Sequence, residues 1–174
     1  MKKLQLLNTI LLLGIITYLV LTALSTDSNG KEVYVVTGEL HQNFDYQKEL
    51  NEEYLLFKST KEEEVKKFAE SLNMLKVKIE SQDYSEQELY DYQVGLNRLQ
   101  IAQQDLNQEL TNLNGEYNAK IWEKLNVFVK SYGNENDCSI IFGADGDGNI
   151  MYAKDMLNVT EEVTIYCNQK YKGI

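Results

Sequence analysis

The side chains that could do chemistry in this chain are few and scattered. The sole histidine, His41, has Glu39 and Asp45 for acidic neighbours. These are the materials of a Ser/His/Asp relay, but on an early helical turn a solvated surface position accounts for them better. Cys138 and Cys167 are the only cysteines. An exported location permits a disulfide between them; unpaired, both serve as small buried apolar residues. No Cys-x-x-Cys pair or histidine cluster accompanies them, so a metal centre is not indicated. Asp145-Gly146-Asp147-Gly148-Asn149 opens like a calcium loop, yet Ile150 stands where glycine is needed and Met156 where the bidentate glutamate belongs. A tight turn fits it better. Asn158-Val159-Thr160 has the form of a glycosylation acceptor and the position of a helix cap. No glycine-rich phosphate loop precedes a helix. The pattern points to no cofactor and no enzyme. Tyr84, Tyr90 and Tyr92 remain. Clustered near a chain reversal, where neighbours are few, they either pack the reversal or contact an apolar segment of another chain.

Charge narrows the partners. The 174 residues carry a formal net charge of -10, and removing residues 1 to 30 takes away Lys2, Lys3 and Asp27, leaving -11. Nucleic-acid phosphates and anionic lipid surfaces are repelled by such a body. Met1-Lys2-Lys3 leads into an apolar run over residues 4–24 that ends near Ala23 and Ser25. Two readings stand: a cleaved signal peptide, or an uncleaved inner-membrane anchor, since about 20 apolar residues suffice to cross a bilayer. Either one delivers Lys31 onward beyond the inner membrane, to the periplasm or cell envelope.

The remaining elements must position those tyrosines. Residues 1–30 form the export segment and a polar linker. Glu32-Val33-Tyr34-Val35-Val36-Thr37 reads as a strand buried on both faces. From about Gly38 to Glu80 a helical period takes over, with Tyr54, Phe57, Lys61, Val65, Phe68, Leu72, Leu75 and Ile79 at steps of three or four. Ser85-Glu86-Gln87-Glu88 is a capping box that starts a second helix. Its seam runs through Leu89, Tyr92, Leu96, Leu99, Ala102, Leu106, Leu110, Leu113, Tyr117, Ile121, Leu125, Phe128 and Tyr132, with Gly133 as the expected left-handed cap. The absence of proline and nearly equal lengths, about 45 residues or ~65 Å each, predict two helices folded back on one another, with flanks that only oligomerisation or a partner can cover. Residues 138–144 and Ile150–Ala153 read as a strand hairpin, followed by a last helix carrying Val163, Tyr166, Cys167 and Lys170 ahead of Gly173. The expected class is α+β: a long antiparallel coiled-coil hairpin, 39–132, projecting from a small β-containing head, 31–38 and 133–174.

This order resembles the OmpH/Skp family of periplasmic chaperones. The likeness is carried by Val33-Tyr34-Val35-Val36-Thr37 with the helix start through Phe44, and by the closing stretch from Ile121 to Tyr166. That stretch includes Cys138-Ser139-Ile140-Ile141-Phe142, Gly146 to Tyr152, and Leu157-Asn158-Val159-Thr160-Glu161-Glu162-Val163. The resemblance implies a homotrimer whose heads share a β-barrel. Its arms would surround a cavity that holds unfolded outer-membrane proteins without ATP, with Tyr84, Tyr90 and Tyr92 as candidates for client contact. One departure concerns the arm tip. The familiar member has positive tips, whereas residues 76–92 set Lys76 and Lys78 against Glu80, Asp83, Glu86, Glu88 and Asp91. A structural or tethering protein, anchored in the envelope and binding one defined partner, is the alternative.

Overall fold

A computed structural model describes residues 11–20 and 30–174. Residues 11–20 are helical (α1). The apolar run 4–24, expected to be a signal peptide or an anchor, lies partly outside the described residues. Among those that are described, no helix is long and apolar enough to cross a membrane.

Strand β1 (Lys31–Val36) alternates rather than burying both faces: Val33 and Val35 point into the core, while Lys31 and Glu32 are exposed. Its partner is β2 (Cys138–Ala144), and the two run parallel, with Val33 opposite Ile141 and Val35 opposite Gly143. Parallel pairing demands a long crossover. Here the crossover is the whole of the long helices.

Helix α2 (Thr37–Asn43) leaves β1 directly, and the chain then breaks at Phe44, whose extended backbone (φ -75°, ψ 126°) separates α2 from α3 (Asp45–Glu80). The expected single helix from Gly38 is thus two. The break turns Phe44 inward, fully buried, with the rings of Tyr46, Phe128 and Tyr171 edge-on at 6.1, 6.2 and 5.8 Å. It also exposes backbone groups that a continuous helix would pair. Asn168 satisfies both sides: its Oδ1 accepts from the Asp45 N–H at 2.8 Å and its Nδ2 donates to the Asn43 carbonyl at 3.1 Å.

The two long helices do not have the equal lengths expected: α4 (Glu86–Glu135) extends about 75 Å at 1.5 Å per residue against about 54 Å for α3, because the break at Phe44 shortens the first and the second runs on past Gly133. Contacts between them rise along one as they fall along the other: Tyr117 donates to Glu53 at 3.2 Å, Gly95 faces Leu72, and Lys78 meets Glu88 at 2.8 Å. Every seam residue predicted on α3 is at least half-buried, Lys61 included. On α4 only Leu96 departs. Gly95 takes its place at the interface because the helices close there: a Cβ on Gly95 would lie 2.3 Å from Leu72 Cδ2.

Gly133 is not the cap. Helix α4 runs on to Glu135, Asn136 closes it, and the left-handed residue is Asp137 (φ 55°). Gly133 is instead buried where Ile141 of β2 crosses it. The expected hairpin of residues 138–144 with Ile150–Ala153 does not form either. Gly146 and Gly148 (φ 85° and 88°) turn the chain, Asn149 donates to the Gly143 carbonyl at 2.7 Å, and residues 150–153 continue without strand pairing. The second edge of β1 is met by Asn158–Thr160: Val159 N–H donates to the Tyr34 carbonyl at 3.0 Å and Val36 N–H to Thr160 Oγ1 at 2.8 Å.

A short 3-10 turn (Asp155–Leu157) then leads to α5 (Thr160–Lys172), ended as expected by Gly173 in the left-handed region. Val163 and Cys167 of α5 complete a core with Val35, Leu40, Phe44, Leu50, Ile121, Leu125 and Tyr132. Residues from both ends of the chain are thus packed around the base of the long helices.

Candidate functional site

His41 is not solvated surface. It is half-buried, stacked against Trp122 with ring centroids 5.3 Å apart, and its Nε2 is buried without a hydrogen-bond partner. It borders a polar hollow of about 90 Å³ with Gln47, Asn51, Asn114 and Asn118, next to Leu50 and Ile121. Tyr54 and Tyr117 complete the lining, and the Tyr117 hydroxyl donates to Glu53 at 3.2 Å.

Both cysteines are free thiols: Cys138 is half-buried at the start of β2 and Cys167 fully buried on α5. Burial pushes the Cys167 thiol up to about 12, which keeps it protonated and inert. Asp145 and Asp147 lie exposed on the glycine turn, and no cluster of metal-ligating side chains occurs among the described residues. In Asn158-Val159-Thr160 the Asn158 side chain accepts from the Thr160 N–H at 3.0 Å, so the motif builds the joint between β1 and α5.

The turn between the long helices is built by the capping box. Ser85 Oγ accepts from the Glu88 N–H at 3.2 Å, and the Glu88 carboxylate accepts from the Ser85 N–H at 2.9 Å. Lys78 reaches across from α3 to the same carboxylate at 2.8 Å. The Lys78 ammonium first, then the Ser85 donors, lower the Glu88 pKa to about 2. The acidic tip is therefore a latch between the two helices.

The three tyrosines separate on this frame. Tyr92 is half-buried in the seam, whereas Tyr84 on the turn and Tyr90 on α4 face outward. Further apolar residues are exposed along the long helices: Leu55, Leu56, Met74 and Val77 on α3, Leu96 and Ile101 on α4. A second exposed apolar region lies at the sheet. Phe142, Ile150, Met151, Tyr152 and Leu157 line a groove of about 480 Å³ beside Glu32, Val33 and Tyr34, with Met151 88% and Tyr152 83% exposed. Sequence reading missed this surface because it placed Ile150–Ala153 inside a sheet. Its signal was a run of large apolar residues with no partner strand of matching length.

Residues 31–165 match the family of OmpH-like outer membrane proteins. The chain belongs to the OmpH-like family. The match starts with β1 and runs into α5, so it takes in the crossover helices, the sheet and the joint at Asn158 together. The OmpH-like chain is also similar to a crystal structure from Caulobacter crescentus CB15 of a protein described as an OmpH-like outer membrane chaperone. The TM-score is 0.68 at 13% identity, covering 80% of this chain and 84% of that one. At such identity the fold is what the two share. No curated protein sequence matches the OmpH-like chain.

Proposed function

We propose that this chain is an ATP-independent holdase of the periplasm that keeps unfolded outer-membrane and other exported proteins from aggregating. The observation that carries the reading is the apolar surface along α3 and α4 which the chain itself leaves open, on helices of a family whose structural neighbour is described as a chaperone. A monomeric soluble protein rarely displays large unpartnered apolar patches. Here they are spread along two extended helices rather than gathered in a pocket. That geometry suits many weak contacts with one flexible chain, where each contact is modest and simultaneous engagement makes release slow.

In this reading residues 31–38 and 133–174 form a head and 39–132 an antiparallel hairpin arm, and three heads assemble through the sheet. The exposed Phe142, Met151 and Tyr152 supply an apolar face for that assembly. Tyr84 and Tyr90 are proposed to touch clients, while Tyr92 packs the seam. The acidic tip implies grip by apolar contact more than by positive charge. The test is dilution of a urea-unfolded β-barrel protein into buffer with the purified chain and no nucleotide. Light scattering stays low if the reading holds and rises as in buffer alone if it fails.

A tether is the second reading, favoured by the basic, apolar N-terminus. Recovery of one folded partner at fixed stoichiometry, with client aggregation unchanged, selects it over the holdase.

A further inference from the structure

Most cations along the long helices are ion-paired. Lys48, Lys58, Lys61, Lys66, Lys67, Lys76, Lys78 and Lys120 each have a carboxylate within 4.0 Å. Among the described residues of these helices Lys124, which lies over the Tyr46 and Tyr171 rings, Lys130 and Arg98 are paired with none; Arg98 is the sole arginine of the chain, and of the three it alone lies in the half of α4 nearer the turn. The reason is in the sequence: positions three and four away hold Val94, Gly95, Ile101 and Ala102, so the helix offers no acidic neighbour. The nearest carboxylates on α4, Asp91 and Asp105, lie about 10 Å along the axis, beyond a Debye length at physiological salt. The guanidinium is thus a locally positive point on an otherwise acidic arm.

It also has apolar neighbours. Arg98 lines an open groove of about 390 Å³ with Tyr90, Gln93, Val94, Asn97 and Ile101, and Tyr90 and Ile101 are 61% and 51% exposed. Tyr90, Val94, Asn97 and Ile101 follow the helical period, so the stripe is about 16 Å long, the span of about five extended residues.

Building on the holdase reading, we propose that this groove docks an extended segment of an unfolded client in which an aspartate or glutamate side chain adjoins an aromatic or branched apolar residue. The apolar side chain lies on Tyr90, Val94 and Ile101, and the carboxylate meets the guanidinium in a forked pair of N–H donors. Gln93 and Asn97 offer amides to the client backbone. Charge complementarity selects this occupant: a basic segment is repelled by Arg98, and a neutral one covers its charge without pairing it. A client carboxylate completes what every lysine from Lys48 to Lys120 already has.

The test uses the full chain and two labelled peptides that differ only in Asp or Asn beside a phenylalanine, with binding read by fluorescence anisotropy. The wild type should prefer the Asp peptide by roughly two- to five-fold, the range an exposed ion pair supplies. Arg98→Gln should abolish the preference and leave the Asn peptide unchanged, and Y90A/I101A should weaken both peptides alike. Arg98 is at the surface, so its substitution spares folding, which circular dichroism checks. Equal binding of both peptides by the wild type, or a preference that survives in R98Q, overturns the proposal. So does a change of the free protein's mass on R98Q with no effect on peptides, which assigns the groove to contact between copies. If peptide discrimination fails while an unfolded β-barrel protein is still kept soluble, only this inference falls. If solubility is not maintained, the holdase reading falls instead.

Discussion

Gly95 and Gly115 both interrupt α4 with a glycine, and the structure separates what alanine does at each. In a helix interior alanine is favoured over glycine by about 1 kcal/mol. At Gly115 a new Cβ meets nothing within 4 Å, so G115A should stabilise by about that amount. At Gly95 the same methyl lies 2.3 Å from Cδ2 and 3.5 Å from Cδ1 of Leu72, which is itself buried. Making room forces Leu72 off its rotamer or pushes the helices apart, at about 1–3 kcal/mol. The propensity gain is common to both variants and cancels in their difference, so G95A should be less stable than G115A by about 1–3 kcal/mol. At about 2–4 °C per kcal/mol for a chain of this size, the melting temperatures should differ by several degrees. Leu72→Ala should cost less in the G95A background than in the wild type, a coupling a double-mutant cycle reads directly. Urea denaturation followed by circular dichroism, at one fixed protein concentration, supplies the values. Equal stabilisation by G95A and G115A would refute the close approach, and with it the register of the two helices.

Three further outcomes follow from the base and the tip. Phe44→Ala removes the ring on which Tyr46, Phe128 and Tyr171 converge and should cost about 3–5 kcal/mol in the same denaturation, and a loss under 1 kcal/mol contradicts its place at the centre of the core. Glu88 titrates at about 2 when folded against an ordinary 4.5, so its stabilisation of the turn is complete above pH 4.5 and is lost as pH falls towards 2. Protection of the Ser85 and Glu88 amides, taken relative to the intrinsic exchange rate at each pH, should fall across that window in the wild type and stay level in Glu88→Gln. Native protein should expose one reactive thiol, Cys138, and unfolding should release Cys167 as the second; two thiols reacting at one rate in the native state contradicts the burial of Cys167.

The long helices were legible in the sequence because their evidence is redundant. Periodicity, the capping box at Ser85 and the lack of proline all point one way, and Leu96 was misplaced only because glycine, invisible to an apolar count, can be the residue that brings two helices together. The base was read less well. Phe44 lies in a continuous helical pattern, and nothing local announces a break that depends on Asn168, far along the chain, to pair the freed backbone groups. Strand pairing failed for a similar reason. Ile150–Ala153 has strand composition, but β1 takes β2 on one edge and Asn158–Thr160 on the other, so composition could not tell which segment would be left out. Of the three candidate tyrosines, period alone separates Tyr92, in phase with the seam, from Tyr90, which is out of phase. Arg98 escaped notice since its lack of a carboxylate matters only beside the exposed Tyr90 and Ile101, a grouping that the seam period does not single out.

The central claim is that copies of this chain assemble through their exposed sheet surface and together hold an unfolded client. Sedimentation of residues 31–174 mixed with a urea-diluted β-barrel protein tests it most directly. The account predicts a soluble complex with the mass of three chains and one client, reduced to monomers without client when Phe142 and Tyr152 are replaced by aspartate. A chain that sediments as a monomer while the client pellets contradicts it.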